Sequence, residues 1–242
     1  MERKQEAYYE KYEQRYQTVY AAGGSWGFAP DSEELKAVLT DWVRENGLAG
    51  KRIIEFACGE GAAGKILSDL GCVYHGVDLA PSAVESAKKL LKDYPNATVS
   101  RLDMVKEQLM ETYDAALDVM GFHILITDRD RLQYLRNVYA CLAPGAPVLF
   151  YQQAFWEDAY AGEIESYEQW QDLMGIDYEQ KETRYARKGD SKVEVQIPRI
   201  AGRGQSEAGY RREFAAAHLE VDRFERGREG TAHRASIWGH KP

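Results

Sequence analysis

The chain has 242 residues, a formal net charge of -8 at pH 7 and a pI near 5.3. That length suffices for one buried core, and the acidic balance argues against a nucleic-acid groove, which needs a basic stripe to neutralise phosphates. Cys58, Cys72 and Cys141 have no metal-like spacing and read as free thiols, while no apolar run approaches a membrane span and no signal peptide is seen; the expectation is a soluble cytoplasmic protein, monomer or homodimer, with no metal, nucleic-acid or membrane partner.

Tyr8, Tyr12, Tyr16 and Tyr20 recur every fourth position and predict a helix with an aromatic stripe. Either the stripe packs on the domain, or Tyr16 and Tyr20 belong to a lid. Residues 21–30 form a glycine-rich loop whose Trp26 and Phe28 are candidate pocket walls. Asp31-x-x-Glu34 reads as a helix start, with Leu35, Val38, Leu39, Trp42 and Val43 on one face and Asn46-Gly47 as the stop.

The centre of the pattern is Arg52 to Gly64. Ile53, Ile54 and Phe56 predict a buried parallel strand with Glu55 inside it, and Gly59-x-Gly61-x-x-Gly64 predicts the turn that opens a helix. Glycines there let the backbone pass close under a ligand. The spacing also satisfies the dinucleotide fingerprint, so alone it does not name the ligand.

A helix follows over Lys65 to Leu70, then a strand, Val73 to Asp78, that ends in an acid. A helix over Pro81 to Asp93 leads to a strand ending at Asp103 and Met104. Tyr113 to Met120, which contains Asp118, predicts a fourth strand running into Gly121-Phe122-His123-Ile124. A helix over Asp128 to Leu142, a Pro-Gly turn and Val148 to Tyr151 complete five strands. This alternation implies a parallel sheet that binds ligands at its carboxyl ends.

Residues 152–205 are aromatic, with Phe155, Trp156, Tyr160, Tyr167 and Trp170, and predict a hairpin over Glu179 to Ile200 turning near Gly189-Asp190. A connection this long suits a substrate cap. Arg184, Arg187 and Arg199 are candidates for an anionic acceptor group or for a solvated, paired face. A helix over Ser206 to Ala217 and strands over Leu219 to Phe224 and Ala232 to Gly239 close the chain; His218, His233 and His240 take no role.

The ordered set of Glu55, the glycines, Asp78 and Asp103 resembles the Rossmann-like, class I S-adenosylmethionine-dependent methyltransferases of small-molecule type, well over residues 50–155 and more loosely beyond. The resemblance implies a doubly wound α/β fold, a mostly parallel seven-stranded sheet with an antiparallel edge strand; on the residues themselves, 1–30 read as a helix-and-loop lid and 31–242 as the methyltransferase domain, with a cap inserted at about 152–205. It implies S-adenosylmethionine as cofactor, with Glu55, Gly59 and Gly61 under its methionine part, Asp78 on the ribose, Leu79 and Met104 at the adenine, Asp103 on the adenine amino group and Asp118 as a further contact. The segment at His123 is similar to the family's Leu-His-His-Leu pattern, which makes His123 either a proton acceptor or a loop-ordering residue. Tyr16, Tyr20, Trp26, Phe155 and Trp156 are the expected walls around a small-molecule acceptor methylated at oxygen, nitrogen or sulfur. The family often has glycine where Ala57 stands and a small residue where Glu60 stands. Alternatives are an NAD(P)-dependent oxidoreductase, disfavoured by the two extra acids and the lack of a Tyr-x-x-x-Lys pair, and a non-catalytic binding scaffold.

Overall fold

The protein was analysed as a computed structural model that describes residues 8–178, 180–228 and 230–242. Positions 1–7 of the expected N-terminal helix, and Glu179 at the start of the expected hairpin, lie outside the described residues. A 3-10 turn at Tyr8–Lys11 leads into α1 (Tyr12–Ala21) and then α2 (Glu33–Glu45). Strands and helices then alternate as β1 (Arg52–Phe56), α3 (Ala62–Asp69), β2 (Val73–Asp78), α4 (Pro81–Leu90), β3 (Ala97–Arg101), β4 (Ala115–Val119), α5 (Asp128–Ala140) and β5 (Pro147–Ala154). After α6 (Tyr167–Met174), a separate hairpin of β6 (Lys181–Lys188) and β7 (Ser191–Pro198) precedes α7 (Glu207–Ala216), β8 (Glu220–Arg226) and β9 (Arg234–His240).

The main sheet has seven strands in the order β3-β2-β1-β4-β5-β9-β8. The first five are parallel, β9 enters antiparallel beside β5, and β8 closes the edge antiparallel to β9. Successive residues in the central strands serve opposite faces. Ile53, Leu117 and Leu149 pack toward Leu39, Trp42, Ile66 and Leu67 of α2 and α3. Ile54, Phe56, Ala116, Val148 and Phe150 pack toward Tyr134, Leu135, Val138 and Phe214 of α5 and α7. Both faces are covered, which is what near-continuous apolar strands require. Each of the buried Ile, Leu, Val and Phe side chains among them stabilises the fold by about 1.5–3 kcal/mol through burial.

Several boundaries differ from expectation. The cap of α2 is Ser32, whose hydroxyl accepts from Leu35 N at 3.4 Å, rather than Asp31. β3 stops at Arg101, so Asp103 stands in the loop beyond it. Among the described residues no helix is long and apolar enough to cross a membrane, and no cluster of His, Cys, Asp or Glu could hold a metal ion.

The third glycine of the loop motif is a packing position. A Cβ on Gly64 would lie 2.5 Å from the Tyr74 ring, which fills the space between α3 and β2 and hydrogen-bonds Glu55 Oε2 at 2.5 Å. Helix propensity alone would make Gly64→Ala stabilising by about 0.5–1 kcal/mol. The contact with Tyr74 reverses that sign: Gly64→Ala is expected to lower the urea midpoint, by the 1–3 kcal/mol typical of overpacking. A raised midpoint would refute the packing role.

Candidate functional site

At the carboxyl ends of β1 and β2, backbone geometry and two acids define a cleft. Gly59 and Gly61 have φ of +53° and +84°, in the left-handed region, and Gly61 caps the start of α3. Ala57 also sits there at φ +52°, which is costly for a residue with a Cβ. Gly59 N donates to Asp78 Oδ2 at 2.8 Å and Ala80 N donates to Oδ1 at 2.9 Å. Burial nonetheless pushes the Asp78 carboxyl up to about 6, against the pull of those backbone donors. Burial also raises Glu55, to about 8, and the Tyr74 hydroxyl only partly offsets it. Asp103 accepts from Val105 N at 3.0 Å and Lys106 N at 3.1 Å, with Lys106 Nζ at 3.2 Å and the Tyr9 hydroxyl at 3.4 Å.

The cleft brings together Glu55, Gly59, Asp78, Leu79, Asp103 and Met104 with Tyr16 and Trp26. Glu60 also faces it, so its described lining carries four carboxylates, those of Glu55, Glu60, Asp78 and Asp103, and no Lys, Arg or His. Tyr9, Tyr12 and Phe28 line it as well. Tyr12 was signalled by the tyrosine spacing, whereas nothing in the sequence marked Tyr9 as a neighbour of Asp103.

Other candidates lie elsewhere. Gly61 packs behind the loop on Ala87. Asp118 is fully buried and its oxygens are already used: they accept from Gly121 N, Phe122 N, the Tyr134 hydroxyl at 2.6 Å and Gln153 Nε2 at 2.8 Å. It is a hub of the core beside β4 rather than a wall of the cleft. Tyr20, Phe155 and Trp156 are also outside the lining. Phe155 packs on Phe224, and Trp156 stacks flat on Trp170 at 5.9 Å.

The N-terminal residues that line the cleft, Tyr12, Tyr16, Trp26 and Phe28, belong to a segment that packs on the distant hairpin. Val19 of α1 shares a small core with Ala186, Val195 and Ile197 of the hairpin. Ser25 and Arg187 exchange backbone hydrogen bonds of 2.7 and 3.1 Å, and Trp26 N donates to Glu60 Oε1 at 2.9 Å. Glu13 reaches across to accept from Ser82 N at 3.0 Å, satisfying a free donor in the first turn of α4.

His123 is buried beside the same edge. Gln153 Oε1 accepts from both its N at 3.1 Å and its Nδ1 at 3.1 Å, and the amide is oriented by Nε2 donating to Asp118. That network assigns the proton to Nδ1. The remaining Nε2 faces Arg234 Nη1 at 3.4 Å. Burial first, and then the Arg234 guanidinium, lowers the imidazole to about 3. A ring so held has little capacity to accept a proton at neutral pH.

Residues 54–148 match the family model for a methyltransferase domain. No curated protein matches the chain. Among solved structures, a S-adenosylmethionine-dependent methyltransferase from Clostridium acetobutylicum superposes with a TM-score of 0.65 at 14% identity, covering 96% of this chain and 98% of that one. An amino pentose methyltransferase from Micromonospora echinaspora, involved in calicheamicin biosynthesis and solved with S-adenosylmethionine bound, gives 0.61 at 19% identity over 95% and 97%. A magnesium protoporphyrin IX methyltransferase from Synechocystis, with bound S-adenosylhomocysteine, gives 0.63 at 11% identity over 95% of each. At these identities the likeness is one of fold. The matched domain begins inside β1 and ends in β5, so it contains the strands whose ends carry the acids; residues 54–148 are a methyltransferase domain by sequence, and the chain shares its fold with class I, Rossmann-like S-adenosylmethionine-dependent methyltransferases.

Proposed function

We propose that the protein methylates an oxygen, nitrogen or sulfur atom of a small-molecule acceptor, and that its cofactor lies in the acidic cleft. The charge of the lining carries this reading. The lining holds four acids and no basic side chain, although Lys106 and Arg187 reach Asp103 and Glu60 from outside it; that balance suits a ligand whose sulfonium and ammonium outweigh its one carboxylate, and opposes the pyrophosphate of a dinucleotide. The residues also fit the group in kind: Gly59 leaves no side chain beneath the ligand, Asp78 and Asp103 offer acceptors, and Leu79 and Met104 offer apolar faces.

In this reading Asp78 takes the ribose hydroxyls, Asp103 the adenine amino group, and Glu55 lies at the methionine end. Gly61 sets the loop without touching ligand. S-adenosylmethionine supplies an activated methyl on a positive sulfur, so alignment and a dry pocket do most of the work. Residues 8–30 act as the lid: Tyr16 and Trp26 exclude water and present aromatic faces to a cation. The hairpin within 152–205 is part of the cap, held to that lid through Val19, Ser25 and Arg187. His123 orders the loop after β4 and is not the base. Three buried free cysteines suit a reducing cytoplasm.

Asp78→Ala is expected to weaken S-adenosylhomocysteine binding more than about tenfold, the usual cost of losing hydrogen bonds to a charged acceptor. Asp78→Asn, which keeps one acceptor oxygen for the loop, should fall between; an unchanged Kd in both would remove the ribose role. A second outcome concerns protons. Burial holds Glu55 protonated below about pH 8, whereas a cationic ligand favours its ionised form. Binding should therefore release a proton, and affinity should rise as pH approaches 8. Calorimetry at pH 7 in two buffers of different ionisation enthalpy measures the release; Glu55→Gln should abolish it, and buffer-independent heats in the unmodified protein would contradict the linkage.

A further inference from the structure

Arg234 is a cation without an acid. It opens β9 opposite Ala154, at the carboxyl end of β5, beside the edge where a methyl acceptor must approach. Other buried arginines are paired: Arg131 with Glu213 at 2.7 Å and Arg203 with Asp128 at 3.2 Å. The Arg234 guanidinium, half-buried, has no carboxylate within 4.0 Å among the described residues. Its Nη1 donates to Gln152 O at 3.2 Å and faces His123 Nε2 at 3.4 Å, while its Nε and Nη2 meet no acceptor there. Burial lowers its pKa, which is the mark of a desolvated charge that lacks a counter-ion.

The surroundings hold this arrangement in place. Gln152 takes φ +57° at the irregularity in the β5–β9 pairing, a strained conformation for a non-glycine residue, and so turns its carbonyl to Arg234. Arg234 lines a groove with Tyr151, Gln152 and Arg226; the acids in that groove, Glu34, Asp41, Glu45 and Glu225, form no ion pair with it. Glu34 is occupied, accepting from the Tyr151 hydroxyl at 2.7 Å and Gln152 Nε2 at 3.1 Å. The groove adjoins the acidic cleft, since Tyr151 contacts Phe28, at 6.0 Å between rings, and Phe28 lines that cleft. Of the arginines singled out in the sequence, Arg184 pairs with Glu182 at 2.8 Å and Arg187 faces Glu60 at 3.8 Å.

Resting on the methyltransferase reading, we infer that the methyl acceptor carries an oxyanion, a carboxylate or a phosphate, that pairs with Arg234. A guanidinium offers a planar fork of donors matched to either group. His123, whose Nε2 holds Nη1 from one side, acts as a positioning residue and leaves Nε and Nη2 to the ligand. The site then has two poles: carboxylates receive the cationic methyl donor, and one guanidinium receives the anionic acceptor. Exchange of the two ligands between subsites would set like charges together.

Calorimetric titration of the protein saturated with S-adenosylhomocysteine tests this, using benzoate and phenyl phosphate as anionic probes and benzamide as the neutral control. At least one anion should bind about tenfold more tightly than benzamide, and which one it is distinguishes carboxylate from phosphate. Arg234→Gln should lose that preference, Arg234→Lys should keep part of it, and both should bind S-adenosylhomocysteine as the unmodified protein does, which shows that they fold. No preference in the unmodified protein, or the same preference in Arg234→Gln, overturns the inference. Should S-adenosylhomocysteine not bind the unmodified protein, the cofactor reading fails separately, and the anion titration on protein alone still decides the role of Arg234.

Discussion

The hydrogen bond from Gly59 N to the Asp78 carboxylate joins the loop after β1 to the end of β2, and the binding edge depends on it. The turn needs left-handed backbone at Ala57, Gly59 and Gly61, which leaves amide donors pointing out of the sheet. Asp78 answers one of them, at Gly59, and also the amide of Ala80 beyond its own strand. To do so it must be buried, and burial disfavours its charge. Glu55 is under the same stress more severely, with only the Tyr74 hydroxyl for support. Glu55 and Asp78 thus sit in the cleft with their ionised forms only partly compensated, which in the proposed reading a cationic ligand completes. This is a physical reason for the fold to carry its acids at strand ends under a cover.

The cover follows from the same geometry. An acidic cleft open to water would be screened, and its selectivity for a cation weakened. Here α1 and the β6–β7 hairpin, about 170 residues apart in the chain, share apolar contacts through Val19 and a backbone bridge through Ser25 and Arg187. Glu60 accepts from Trp26 N and faces Arg187, so the floor of the cleft also touches the cover. The N-terminal segment and the hairpin are thereby packed as one unit beside the cleft.

The order of strands and helices was legible because apolar periodicity, glycine stops and proline starts are local signals, and because both faces of the sheet are buried. The acids at the ends of β2 and β3 were legible for the same reason: in a parallel sheet, chain order alone fixes which end a residue occupies. Asp118 shows the limit. It is an acid in a strand like Asp78, yet its environment is decided by Tyr134 and Gln153, and no local pattern reveals that those partners consume it. Aromatic content around Phe155 and Trp156 suggested a pocket wall, and Trp156, stacked on Trp170, lines a surface pocket separate from the acidic cleft. Ser32 and Asp31 are both good caps, and one-residue ambiguity there is intrinsic. Arg234 was invisible because its meaning depends on β9 pairing with β5 across some eighty residues and on the acid it lacks.

The most direct test of the account is parallel calorimetric titration of the protein with S-adenosylmethionine and NADH. The acidic lining predicts micromolar binding of the first, whose sulfonium and ammonium outweigh its carboxylate, and none of the second, whose pyrophosphate is anionic. Binding of NADH, or of neither ligand, would contradict the central claim that this cleft is built for a cationic methyl donor.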